Sequence, residues 1–114
     1  MPHERYTTWT EVNLAAIQRN FKRLHEISQK PVMPVVKGNA YGHGLVEVSK
    51  ALVDAGATRL CVARIEEALR LREGEVEIPL LVLGYTTPAC VKDAIDNKVS
   101  LMVNSLELAR EFDQ

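Results

Sequence analysis

The sequence predicts an α/β fold assembled from repeated strand–helix units, and three observations carry the prediction. Four short apolar runs, at 32–37, 59–63, 78–84 and 99–104, are nearly continuous in apolar residues rather than alternating. That is the pattern of parallel strands covered on both faces. A helical pattern fills each gap between runs, and a last one follows the fourth run. Gly56, Gly74 and Asn97 each follow a helix and precede a strand, where left-handed caps belong. Repeats of this kind form either an open doubly wound sheet or a (β/α)8 barrel, and periodicity alone does not choose between them.

Each element has its own signal. Residues 7–12 read as a short extended segment, with Trp9 as a packing anchor. A helix over about 14–28 follows, with Leu14, Ile17, Phe21 and Leu24 on one stripe and Asn13 as its N-cap. The first strand, 32–37, ends at Lys37 and opens the glycine-rich loop Gly38-Asn39-Ala40-Tyr41-Gly42-His43-Gly44. Leu45, Val48, Leu52 and Ala55 mark the next helix, and Cys61 sits inside the second strand as a small core residue. Ile65, Ala68 and Leu69 share the face of a third helix. Glu66, Glu67, Glu73, Glu75 and Glu77 read as a solvated charged surface rather than a carboxylate pair. After the third strand, Pro88 opens a helix marked by Val91, Ala94 and Ile95, where a missing N–H does no harm. After the fourth, Ser105 caps a helix carrying Leu106, Ala109 and Phe112.

Size and composition exclude several classes. A chain of 114 residues suits one domain, and 46% hydrophobic with 25% charged residues is ordinary for a globular protein. The net charge of −1, without a basic stripe, argues against nucleic acid as a partner. No apolar run reaches the length of a membrane span, and Met1 to Arg5 contain no signal core, so a cytoplasmic location is expected. Cys61, Cys90, His3 and His25 lack partners at metal-ligand spacing, and no metal is expected. The glycines at 38, 42 and 44 fit neither the dinucleotide fingerprint nor a P-loop.

Lys37 is the candidate for chemistry. A lysine that ends a buried strand and enters a glycine-rich turn has a desolvated stem, and desolvation favours the neutral amine. A neutral amine condenses with aldehydes. A lysine that snorkels to solvent at a strand end explains the same context. Local sequence leaves both readings open.

The surrounding string separates them. Val36-Lys37-Gly38-Asn39-Ala40-Tyr41-Gly42-His43-Gly44 resembles the pyridoxal-phosphate attachment motif of the alanine racemase family, with Gly38 where that family usually has alanine. Segments 9–14, 56–60, 66–72 and 81–84 resemble the same family in the same order, so the likeness spans nearly the whole chain. The resemblance implies the first half, about four β/α units, of a (β/α)8 TIM-type barrel preceded by an N-terminal helix. Residues 1–114 would then be the N-terminal portion of such a protein, with the second barrel half and a C-terminal β domain absent from this chain.

The resemblance also implies a pyridoxal 5'-phosphate-dependent racemase that interconverts L- and D-alanine and supplies D-alanine for the cell wall. Lys37 would carry the cofactor as a Schiff base and act as one of two acid–base groups. Tyr41 would contribute to the pocket near the phosphate. Leu83 would touch the cofactor ring or the lysine stem, plain core packing being an equal reading. Asn39 and His43 would hold the loop in place. The opposite-face tyrosine would come from the partner of a homodimer, and the arginines that contact the cofactor and the substrate carboxylate would lie downstream. This chain alone is therefore expected to be inactive, and to self-associate through open sheet edges. Two other readings are a non-catalytic pyridoxal-phosphate-binding barrel of the homeostasis type, which lacks the Tyr41 to Gly44 string, and an inert half-barrel.

Overall fold

The computed structural model describes residues 2–114, the side chains of Pro2 and His3 excepted, and the reading of His3 lies outside it. A 3-10 turn at Pro2–Arg5 precedes helix α1 (Leu14–Ser28), the turn α2 (Lys37–Tyr41) and helix α3 (Leu45–Asp54). Strand β1 (Leu60–Val62), helix α4 (Ile65–Glu73) and strand β2 (Leu80–Val82) follow. A 3-10 turn at Pro88–Cys90 leads into helix α5 (Val91–Asp96), strand β3 (Val99–Leu101) and helix α6 (Leu106–Phe112).

The three strands form a parallel sheet in the order β1-β2-β3. Leu60 pairs with Leu80 and Leu80 with Val99, which places the chain-order repeats side by side. The expected first strand at 32–37 is reduced to one bridge, between Val35 and Cys61. Its two ladder bonds are Val36 N–H to Cys61 O at 2.8 Å and Cys61 N–H to Pro34 O at 2.9 Å. The shortening has a cause in the sequence. Pro34 has no N–H to give a ladder, and the chain leaves extended geometry after Val36. The other strands also stop short of their expected bounds of 59–63, 78–84 and 99–104.

One face of the sheet makes the core. Val36, Leu60, Val62, Leu80 and Val82 are buried, and Leu45, Leu52, Ala68 and Leu71 from the covering helices pack into the same cluster. Residues of the opposite parity are covered unevenly: Cys61 is buried, whereas Val35 and Leu83 are exposed. The dimensions agree with one uncovered face. Extents of 52 × 40 × 21 Å and a radius of gyration of 16.2 Å describe a flattened body, where a closed domain of this length would have about 13 Å.

Caps explain where the helices stop. Asn13 Oδ1 accepts from Ala16 N–H at 3.0 Å, and Ser105 Oγ accepts from Leu108 N–H at 3.1 Å, as expected for N-caps. Gly56 takes a positive φ of 107° after α3. After α4 and α5 the left-handed residues are Glu75 and Lys98, one position beyond the expected Gly74 and Asn97. Val76 N–H to Leu71 O and Glu75 N–H to Arg72 O, both at 2.9 Å, form the Schellman pair there. Gly74 serves packing instead: a Cβ there would lie 2.7 Å from Val46 Cγ1.

Trp9 also departs from expectation. Residues 7–12 form no strand, and Trp9 is half exposed, its Nε1–H donating to Glu11 Oε1 at 2.9 Å. Arg72 supplies a further tie. Its guanidinium donates to Val76 O at 2.6 Å, Ile78 O at 2.9 Å, Asn97 O at 2.9 Å and Lys98 O at 3.1 Å. It thereby fastens the chain entering β2 to the chain entering β3. Burial pulls its pKa down, against the opposing charge of Glu77.

Candidate functional site

The loop after the first strand does something right-handed chains avoid. Gly38, Asn39, Ala40 and Tyr41 have φ of 60°, 57°, 54° and 55°, so the turn that begins at Lys37 winds left-handed. For L-residues this geometry brings Cβ against the carbonyl oxygen, at about 1–2 kcal/mol each. Three non-glycine residues therefore store roughly 3–6 kcal/mol, a large share of the roughly 5–15 kcal/mol stability of a domain. Strain of this size persists only where surroundings over-determine it, and such places cluster at functional sites.

The anchors of the turn are visible. Ala40 N–H donates to Val36 O at 2.8 Å and Gly42 N–H to Gly38 O at 3.0 Å. Asn39 Oδ1 accepts from Leu45 N–H at 2.9 Å, which caps α3 from six residues away. His43 Nδ1 lies 3.0 Å from Ala40 O. The methyl of Ala40 is buried in the core cluster. Gly42 and Gly44 then take φ of 88° and 102° to feed the chain into α3.

Glu67 supplies the long-range anchor. Its Oε2 accepts from Gly38 N–H at 2.7 Å, 29 residues away in sequence. Its Oε1 accepts from Ala63 N–H at 2.9 Å and Arg64 N–H at 3.0 Å, at the start of α4. The sequence reading of Glu67 as part of a solvated face misses this role. A signal was present: Glu67 stands three residues after the N-cap Arg64, the position from which a glutamate reaches back to free N–H groups.

The candidate residues share one edge of the sheet. Lys37 follows Val36 at the C-terminal end of the first strand, and Leu83 follows β2 at the same end. Ala63, between them in space, follows β1. Lys37 is exposed in this chain, so the expected desolvation of its stem is not met by these 114 residues. Tyr41 lies on the same turn as Lys37, with 65% of its surface exposed. It borders an apolar groove of about 310 Å³ whose walls include Phe21, Val32, Ala40 and His43. Leu83 is 40% exposed and held by its own N–H to Val62 O at 2.8 Å. β1 separates it from the lysine strand, about 10 Å of sheet.

The remaining candidates are quiet. Cys61 is buried and its thiol pKa is raised by that burial; Cys90 is partly buried, and both are free. Among the described residues, no three His, Cys, Asp or Glu side chains are grouped to hold a metal ion. Among them too, no helix is long and apolar enough to cross a membrane.

Chemically, the edge presents a primary amine on a rigid, strained turn, a phenol on the same turn and an aliphatic side chain two strands over. Comparison with known proteins identifies the family. The family model described as alanine racemase, N-terminal domain, matches residues 12–114. An alanine racemase of Methanococcus maripaludis is 46% identical over 106 residues, covering 91% of this chain and 28% of the relative. The crystal structure of alanine racemase from Bacillus anthracis with bound L-Ala-P superposes with a TM-score of 0.86 at 45% identity, over 91% of this chain and 28% of that one. A histidine racemase from Leuconostoc mesenteroides superposes with a TM-score of 0.83 at 33% identity, over 87% of this chain and 27% of that one. The chain thus spans little more than a quarter of the length of these relatives.

Proposed function

This chain belongs to the alanine racemase family, as its N-terminal domain, and from that premise we propose that it forms part of a pyridoxal 5'-phosphate-dependent amino-acid racemase. The carrying observation is the left-handed turn that fixes Lys37 at the C-terminal edge of a parallel sheet. Barrel enzymes gather their chemistry at that edge. The three strands and the Val35 bridge are read as one side of a (β/α)8 barrel. The exposed face that carries Val35 and Leu83 is then the face a remaining barrel half covers. Closing it also supplies the desolvation that Lys37 lacks in this chain.

The cofactor, when bound, draws electrons from the α-carbon of an amino acid and so acidifies its proton. Lys37 is the residue that would hold the cofactor, its Nζ condensing with the aldehyde carbon with loss of water. As a free amine, Lys37 Nζ would take a proton from, or return one to, a single face of the α-carbon. Tyr41 would contribute its hydroxyl to holding the phosphate, and Leu83 would offer an apolar contact to the ring or the lysine stem. Inversion needs a second acid–base group on the opposite face, and we place it outside these residues, on the partner of a homodimer. The amino acid itself is read as alanine from the named alanine racemases, the histidine racemase marking how far the same scaffold stretches.

The test is Lys37→Ala in the protein at its natural length. The variant is expected to fold, to bind no pyridoxal phosphate through dialysis and to lose racemisation by at least about a thousandfold. A variant that holds the cofactor as tightly as the parent would remove Lys37 from the site.

A further inference from the structure

We infer that Glu67 is a positioning residue for Lys37, an inference that rests on the reading of Lys37 as the cofactor lysine. A helix cap accounts for half of what this carboxylate does. Oε1 accepts from Ala63 and Arg64 N–H and so completes the start of α4. It does not account for Oε2, which reaches a different strand–helix unit and accepts from Gly38 N–H at 2.7 Å.

The Gly38 N–H belongs to the peptide unit that begins at the Lys37 carbonyl. Fixing that N–H fixes the plane of the Lys37–Gly38 peptide, and with it the direction in which the lysine leaves the backbone. The other hydrogen bonds of the turn are local, to Val36, Gly38, Asn39 and Ala40, and Val36 N–H to Cys61 O at 2.8 Å holds the residue before Lys37 on β1, leaving the Gly38 side of the lysine to Glu67. The Glu67 bond refers the turn to β1 and α4, which are part of the buried core. A carboxylate suits this role. Ionised, it has acceptors on both oxygens and no donor, so it serves three N–H groups at once. Bonds to an ionised acceptor are shorter and stronger than neutral ones, in keeping with 2.7 Å.

Glu67→Gln tests the inference in the protein at its natural length. The amide oxygen still caps Ala63 and Arg64, and the amide N–H₂ then faces Gly38 N–H, donor against donor. Glu67→Asp keeps the charge and shortens the reach by one methylene, so it serves if the first variant fails to fold. Two readouts are used. The first is the rate at which borohydride traps pyridoxal phosphate on Lys37, mapped by peptide mass. The second is the NMR shift of the Gly38 amide proton across the pH range in which carboxylates titrate.

The expected result is a trapping rate reduced roughly tenfold, as for one charge-assisted hydrogen bond. The Gly38 amide titration is present in the parent and lost in Glu67→Gln, which leaves no carboxylate beside that amide. A parent Gly38 amide that does not titrate overturns the inference. So does a titration that is lost while trapping stays within twofold of the parent. A parent that traps nothing at Lys37 overturns the reading beneath it, and the inference with it.

Discussion

Two glycine-to-alanine changes should destabilise by different amounts for different reasons, and the contrast can be worked from distances. At Gly84 the backbone is not left-handed, so alanine meets no conformational penalty there. The penalty is contact. A Cβ at Gly84 would lie 2.4 Å from Ala63 O, closer than the 3.0 Å that real Cβ atoms respect. Its neighbour is backbone and has no rotamer to yield, so the strands must part by about 0.6 Å. That movement weakens the 3.0 Å bond from Gly84 N–H to Ala63 O. Overpacking at about 1–3 kcal/mol and one hydrogen bond at about 0.5–1.5 kcal/mol sum to roughly 1.5–4.5 kcal/mol. At Gly38 nothing lies within 4 Å of an added Cβ, but φ is +60°. Left-handed geometry costs about 1–2 kcal/mol, and the stiffer unfolded chain returns about 0.4–1 kcal/mol, leaving about 1 kcal/mol. Urea unfolding of Gly84→Ala and Gly38→Ala at natural length, read at unchanged slope, gives both numbers. A Gly84→Ala protein within about 0.5 kcal/mol of the parent, or one more stable than Gly38→Ala, refutes the reasoning.

Other positions give sharp expectations. Gly74→Ala should destabilise by about 1–3 kcal/mol through Val46 Cγ1 at 2.7 Å, and Val46→Ala in the same chain should recover much of that loss in a double-mutant cycle. Arg72→Ala leaves the carbonyls of Val76, Ile78, Asn97 and Lys98 without their donor and should cost about 2–4 kcal/mol in chemical unfolding. Arg72→Lys should recover little, because a point charge does not reproduce the planar fork. Burial raises the Cys61 thiol pKa, so its contribution to stability is full below the ordinary thiol value and is lost as pH rises through the folded value. Melting curves between about pH 8 and 10 should therefore fall less steeply for Cys61→Ala than for the parent.

Much of this architecture is legible in the residues. The three paired strands fall inside the expected apolar runs because a doubly covered parallel strand needs continuous apolar residues, which leaves an obvious trace. Asn13 and Ser105 cap their helices because their side chains act within three residues. What the residues conceal is non-local or improbable. Glu67 looks like one charge among several, since its partner at Gly38 is 29 positions away. A left-handed run through Asn39, Ala40 and Tyr41 contradicts local preference and exists only because tertiary bonds impose it. Gly74 looks like a cap, but contact with Val46 across two helices demands the glycine while Glu75 takes the left-handed geometry. Pro34 lies inside the expected strand 32–37 and carries no N–H, a local signal that the apolar run outweighed, and it accounts for a first strand that survives as a single bridge.

The most direct measurement is chemical. The protein at natural length is incubated with pyridoxal phosphate, reduced with borohydride, digested and mapped by mass. The account predicts a single phosphopyridoxyl group on the ε-nitrogen of Lys37, at close to one per chain. Label spread over exposed lysines such as Lys22, Lys50 and Lys92 in proportion to their accessibility, with Lys37 not preferred, would contradict it.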